Sequence, residues 1–127
     1  KAIKNKKKIK LFNEGKMIRD FTYVDDVALS VKKLIKKIPN NKKNPPYRIL
    51  NIGSNNPINL KVYIDALQKK LNKKAKKINY PMQKGDVKYT HANVKNLYRI
   101  IKFYPKTKIL KGISIFVDWY NSYYEKK

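Results

Sequence analysis

A chain of 127 residues with 42% apolar residues, no cysteine and a formal net charge of +24 is long enough for one domain with a core and too apolar for a disordered tail. Without cysteine there is no disulfide framework and no thiolate metal site, and the redox compartment stays open. No apolar run approaches the ~18 residues that span a bilayer. The start, KAIKNKKKIK, is basic but lacks the hydrophobic stretch of a secretory signal and an initiator methionine, so the chain reads as a piece of something longer.

The positive charge raises nucleic acid as a partner, and its composition argues against it. Only Arg19, Arg48 and Arg99 are arginine, which leaves 29 lysines among 32 basic residues. Arginine makes the commonest specific base contact, so its scarcity speaks against sequence readout. Lysine on a solvated face costs little and lays its stem along apolar neighbours. The excess reads as solvated surface.

Along the chain, IKLFN (Ile9–Asn13) alternates as a short strand and EGK turns it. RDFTYVDD (Arg19–Asp26) then gathers three of the eight carboxylates around an arginine, with FTYV strand-like. From Asp26 to Ile38, Val27, Val31, Leu34, Ile35 and Ile38 fall at helical spacing, with Asp25 or Asp26 as N-cap and lysines toward the C-terminal end. PNNKKNPP (Pro39–Pro46) is a loop, and YRILNIG (Tyr47–Gly53) reads as a buried strand.

A helix carrying Leu60, Ile64, Leu67 and Leu71 follows, capped by Asn59. KKINY (Lys76–Tyr80) is a further strand, PMQKGD a loop, and Val94–Ile101 a short helix. The last helix, about Ile109–Tyr124, aligns Ile109, Ile113, Phe116, Tyr120 and Tyr123. Strands alternating with helices predict an α/β fold with parallel pairing.

Redox and metal chemistry find little support in these residues. His91 is the only histidine, so no metal site is expected. Tyr-x-x-x-Lys occurs at Tyr80/Lys84, Tyr98/Lys102, Tyr104/Lys108 and Tyr123/Lys127, against about two expected by chance at this lysine frequency. Pro81 and Pro105 break the helix two of these need, and Lys127 is terminal. Tyr98/Lys102 survives on spacing and reads as core tyrosine plus solvated lysine. Gly15, Gly53, Gly85 and Gly112 are isolated, so no dinucleotide fingerprint is present.

Three segments carry a resemblance: LFNEGKMIRDFTYVDDV, NPPYRILNIGSNNPINL and PMQKGDV, in that order and spacing. Together they resemble the C-terminal part of the extended short-chain dehydrogenase/reductase family, the NAD-dependent nucleotide-sugar epimerases and dehydratases. Within it the UDP-glucuronate 4-epimerase subfamily is closest. The resemblance runs from about Ala2 to Tyr124. It implies that residues 1–127 form the C-terminal substrate-binding portion of a Rossmann-type enzyme. Ile9–Asn13 and Lys76–Tyr80 would build a small mixed α/β lid, and Tyr47–Ile52 a late strand of the cofactor sheet.

The glycine loop and catalytic Tyr-x-x-x-Lys of the family would lie in an N-terminal half outside this chain, which alone is expected to be inactive. By position, Lys10 and Phe12 would border the uracil, Arg19 would bind the diphosphate, and Asp86 would lie near the ribose or phosphates. Gln83 stands where many relatives have an arginine. Asp26 would cap the following helix, while Asp20 and Asp25 orient the loop that aims Arg19.

For the intact enzyme the resemblance implies NAD as cofactor, a UDP-sugar as substrate, a cytoplasmic homodimer, and reversible inversion at C4 of a UDP-hexuronic acid through a 4-keto intermediate, in polysaccharide biosynthesis. The alternatives are another member of the family, a nucleotide-sugar dehydratase or decarboxylase, or a lysine-rich module that binds polyanions.

Overall fold

The computed structural model describes residues 1–40 and 45–125, so part of the Pro39–Pro46 loop and the Lys127 end of one Tyr-x-x-x-Lys match lie outside the described residues. The chain forms two compact units. The first comprises residues 1–19, 57–90 and 108–127, and the second residues 20–56 and 91–107.

In the first unit, β1 (Lys8–Phe12) pairs in parallel with β4 (Lys76–Tyr80), Phe12 opposite Tyr80. Their alternating residues bury Leu11 while the lysines stay in water, as period-2 patterning requires. The expected turn after β1 is a single 3₁₀ turn, Asn13–Gly15. β2 (Ile18–Arg19) pairs antiparallel with β3 (Ile58–Asn59), a two-residue strand where the sequence predicted none. On its other side Ile18 exchanges backbone bonds with Lys88 and Thr90, at 2.9 and 3.1 Å.

Helix α2 (Leu60–Leu71) begins where expected, and the Asn59 side chain accepts from the Lys61 N–H at 2.8 Å. It packs on α4 (Ile109–Glu125) through Ala66, Ile113 and Val117, flanked by Tyr63, Leu67, Leu71 and Ile109. Burial of such side chains, at roughly 1.5–3 kcal/mol each, is what holds these helices together.

The second unit contains α1 (Val24–Ile35) and α3 (Lys95–Ile101). Its core is Val94, Leu97 and Ile101, with Leu34, Leu50, Ile52 and Phe103 against them; Leu97 is fully buried. Of the apolar stripe expected on α1, Leu34 enters this core, whereas Val31, Ile35 and Ile38 are exposed.

Several expectations are corrected here. Helix α1 starts at Val24, so Asp25 and Asp26 sit in its first turn; Tyr23 is the N-cap and makes no side-chain cap bond. FTYV is not a strand, because pairing stops at Arg19. Tyr47–Ile52 has no regular structure. A strand exists through its ladder, and no strand of the described residues pairs with this segment. Leu50 and Ile52 still turn toward the core while Ile49 is 84% exposed. The α/β class and the parallel pair stand.

Candidate functional site

Lys10, Phe12, Arg19, Gln83 and Asp86 all fall in the first unit. The β1–β4 register brings the first two together around Tyr80. The Phe12 and Tyr80 rings lie 5.7 Å apart and tilted by 46°, and the Lys10 ammonium stands 5.3 Å from the Tyr80 ring centre. A ring pair with a cation at its face suits a planar, electron-rich group. In the sequence Tyr80 ends an expected strand and is half of a Tyr-x-x-x-Lys match, neither of which marks it as a binding residue. Its place opposite Phe12 is set by register between segments far apart in the chain.

Beyond β4 the chain turns through Gln83–Asp86, where the Asp86 N–H donates to the Gln83 carbonyl at 3.2 Å. Gly85 holds φ +81° with open space around it, so the conformation and not crowding calls for glycine. Gln83 is exposed and enters this turn through its backbone.

The turn presents Asp86 to Arg19. Nη2 of Arg19 donates to Oδ1 of Asp86 at 2.7 Å, Nη1 donates to the Ile18 carbonyl at 2.9 Å, and Oδ1 also accepts from the Val87 N–H at 2.8 Å. The Arg19 side chain is 22% exposed and that of Asp86 37%. Arg19 is thus held by an acid 67 residues away, not by one of the three beside it.

Those three acids serve the second unit. Asp20 accepts from the Ser54 hydroxyl and from the N–H groups of Asn55, Asn56 and Ala92, at 3.1, 3.4 and 2.9 Å for the three amides. Burial by itself would raise its pKa, but the Ser54 hydroxyl and these amides outweigh that and hold the carboxyl below the ordinary aspartate value. Asp26 does not cap α1; its Oδ2 accepts from the Lys106 and Thr107 N–H groups at 3.1 and 2.8 Å. Asp25 bonds to Tyr23, whose phenol pKa is raised by burial first and then by that bond and the nearby negative charge.

Other candidates resolve plainly. Lys102 lies over the Tyr98 ring, 5.8 Å from its centre, an arrangement of cation on aromatic face and not of lysine beside hydroxyl. Nε2 of His91 is 2.7 Å from the Asn55 side-chain oxygen. Among the described residues no cluster of His, Cys, Asp or Glu suits a metal, and no helix is long and apolar enough to cross a membrane. A cavity of about 310 Å³ in the first unit is walled mainly by apolar side chains such as Leu11, Ile64, Leu67 and Val117. It lacks the fixed polar groups of the Arg19 cluster.

A dinucleotide cradle requires glycines that let backbone approach a pyrophosphate. Gly53, the one glycine after the strand-like segment, is crowded instead: a Cβ there would collide with Ala92 and come within 3.2 Å of Asp20. Gly53 therefore leaves no room for a pyrophosphate to approach the backbone there.

Known proteins are similar to this chain in sequence and in fold. The family model of the NAD dependent epimerase/dehydratase family matches residues 1–53. Protein CapI of Staphylococcus aureus is 42% identical over 99% of this chain and 41% of its own length. A probable UDP-glucuronate 4-epimerase of Rhizobium meliloti is 30% identical over 98% of this chain and 40% of its own length. The crystal structure of UDP-glucuronic acid 4-epimerase from Bacillus cereus, in complex with UDP-glucuronic acid and NAD, superposes with a TM-score of 0.83 at 24% identity. That match covers 97% of this chain and 38% of that one. UDP-glucose 4-epimerase of Thermotoga maritima, with UDP-glucose, gives a TM-score of 0.81 at 18% identity, covering 96% and 37%. The chain therefore spans about two-fifths of the length of the relatives it matches. In sequence it is similar to the NAD dependent epimerase/dehydratase family over residues 1–53 and to UDP-glucuronate 4-epimerases over part of their length, and in fold it is similar to the matching part of such enzymes.

Proposed function

We propose that this chain is the C-terminal, nucleotide-gripping portion of a nucleotide-sugar epimerase, and that it binds the UDP part of a UDP-hexuronic acid. The observation that carries the reading is the fixed guanidinium of Arg19, one of three arginines against 29 lysines, held between Asp86 and the Ile18 carbonyl. A guanidinium pinned on two sides keeps its remaining N–H groups in set directions, which suits the oxygens of a diphosphate better than a mobile ammonium does. Phe12 and Tyr80, with Lys10 at the ring face, supply a surface for the pyrimidine. Asp86 orients the arginine and takes the ribose side, and exposed Gln83 stands at the turn beside it.

In the whole enzyme the reaction is inversion at C4 through a 4-keto sugar. NAD, when bound in the N-terminal half, supplies the hydride chemistry there. The residues of this chain contribute binding energy from the remote, unreacting end of the substrate, and so hold the sugar in place. A dTDP-glucose 4,6-dehydratase from Bacillus anthracis shares the fold at a TM-score of 0.77. A dehydratase is the second reading, and it uses the same nucleotide grip.

Calorimetry with UDP tests the proposal. Charge-assisted hydrogen bonds are worth about 1.5–3 kcal/mol, so Arg19→Ala should weaken UDP binding about ten- to a hundredfold. Arg19→Lys should recover only part of that loss. Unaltered affinity in Arg19→Ala would remove the basis of the assignment. If a steep loss of affinity with salt accompanied indifference to the base, the chain would be a polyanion binder instead.

A further inference from the structure

The apolar cavity of about 310 Å³, whose lining residues all belong to the first unit, is too large for a packing defect. Protein interiors leave few voids bigger than a water molecule. Water does not suit it either, because a bound water needs roughly two to four polar partners and these walls are mainly apolar side chains. One wall is α2, which lines the cavity from Leu60 through Ile64 and Leu67 to Leu71. Phe116 and Val117 of α4 and Leu11 of β1 supply the others.

Length and volume together give the shape. The twelve residues from Leu60 to Leu71 rise roughly 16 Å along the helix. Spread over that length, 310 Å³ gives a mean cross-section of roughly 20 Å², the girth of one unbranched alkyl chain. At about 30 Å³ for each water-sized group, the same volume holds a chain of about ten carbons.

The charges around the cavity have one sign. Of the described residues that line it, every charged one is a lysine. Lys4 is tied to the end of α2, since Nζ of Lys73, two residues past Leu71, donates to the Lys4 carbonyl at 3.0 Å. The Lys4 ammonium donates to the Asn121 side-chain oxygen at 3.0 Å and stands 5.7 Å from the Tyr120 ring centre. A cation beside apolar walls attracts an anion more strongly than it would in open water.

We propose that this cavity binds a free medium-chain carboxylic acid as its anion, with the alkyl chain along α2 and the carboxylate at Lys4. The inference is independent of the reading of Arg19. Its physical content is a site of fixed length with a cation at its end, so that affinity depends on both chain length and head-group charge.

The test uses the full-length polypeptide that contains this sequence, titrated calorimetrically with straight-chain carboxylates from hexanoate to dodecanoate. Affinity should rise about fourfold per added methylene until the cavity is full near decanoate, and then level off. Decanol should bind about tenfold more weakly than decanoate. Lys4→Gln should bring decanoate down to the affinity of decanol and leave decanol unchanged. Leu67→Trp fills the middle of the cavity and should abolish both; should it fail to fold, the Lys4→Gln comparison decides.

No binding of decanoate, which is the result if another segment of the polypeptide occupies the cavity, overturns the proposal. Affinity that climbs without a break through dodecanoate does the same, because it marks adsorption to a surface and not the filling of a fixed length. Decanoate affinity unaltered by Lys4→Gln would remove the carboxylate end of the assignment and overturn it as well.

Discussion

The two units satisfy their backbone by different means. In the first, the N–H and C=O groups between helices are taken up by strand pairing: β1 with β4, β2 with β3, and Ile18 with its second neighbour. In the second there is no strand among the described residues, and the loops are tied by acidic side chains. Asp20 takes the Ser54–Asn56 turn and Ala92, and Asp26 takes Lys106 and Thr107. A backbone donor shielded from water must find an acceptor. Where no strand supplies one, a carboxylate does. This explains why the scarce acids of a lysine-rich chain cluster in RDFTYVDD. Asp20 and Asp26 are acceptors for backbone N–H groups, exposed Asp25 bonds to Tyr23, and the arginine among them is partnered elsewhere.

The comparison is tested most severely at the core of the second unit. Leu97 is fully buried between Val94 and Ile101, and Leu97→Ala should cost about 2–5 kcal/mol. Hydrogen exchange should show amides of residues 20–35 and 91–105 losing protection. Those of β1 and β4 should hold if the ladders stabilise the first unit independently. Loss of protection at both sites together would mean one cooperative unit.

Next in size is Asp26→Ala, which strands two backbone N–H groups and should cost about 1–3 kcal/mol, read as a lower melting temperature. Asp26→Asn keeps an acceptor and should recover part of the loss. If Asp26 were instead a helix cap, the change would fray α1 and leave the Lys106 and Thr107 amides protected.

Acid should separate the two units. The folded-state pKa of Asp20 is depressed, so its stabilisation is complete above the ordinary aspartate value of about 3.9 and is lost as pH falls through the lower folded value. As pH falls below about 3.9 the Asn55, Asn56 and Ala92 amides should begin to exchange, while the β1–β4 ladder, which has no carboxylate among its paired residues, should not. In Asp20→Asn the acid-dependent component at these amides should vanish. The smallest effect is expected at Lys70, paired with Asp118 at 2.8 Å with the acid 62% exposed. Lys70→Ala should change stability by no more than about 1 kcal/mol, and a larger shift would mean that surface pairs matter more in the first unit than its ladders suggest.

How much of this was legible in the sequence follows from the range of the forces involved. Local periodicity and capping chemistry determined α2 with its Asn59 cap, α3, α4 and the β1 and β4 segments to within a residue or so, because hydrophobic spacing and a cap are written in adjacent residues. Rarity does not single out Arg19, since Arg48 and Arg99 share it; only the resemblance of its segment to a family does. What local sequence could not decide was pairing. Tyr47–Ile52 has the composition of a strand and is not one, since a ladder needs a neighbour. Asp26 has the position of a cap and bonds 80 residues away instead. Arg19 sits beside three acids and is held by Asp86, and Tyr80 faces Phe12 only through the parallel register. Each of these contacts joins distant segments, and a hydrogen bond acts over about 3 Å. Which distant atoms come within that range is settled by the tertiary structure alone.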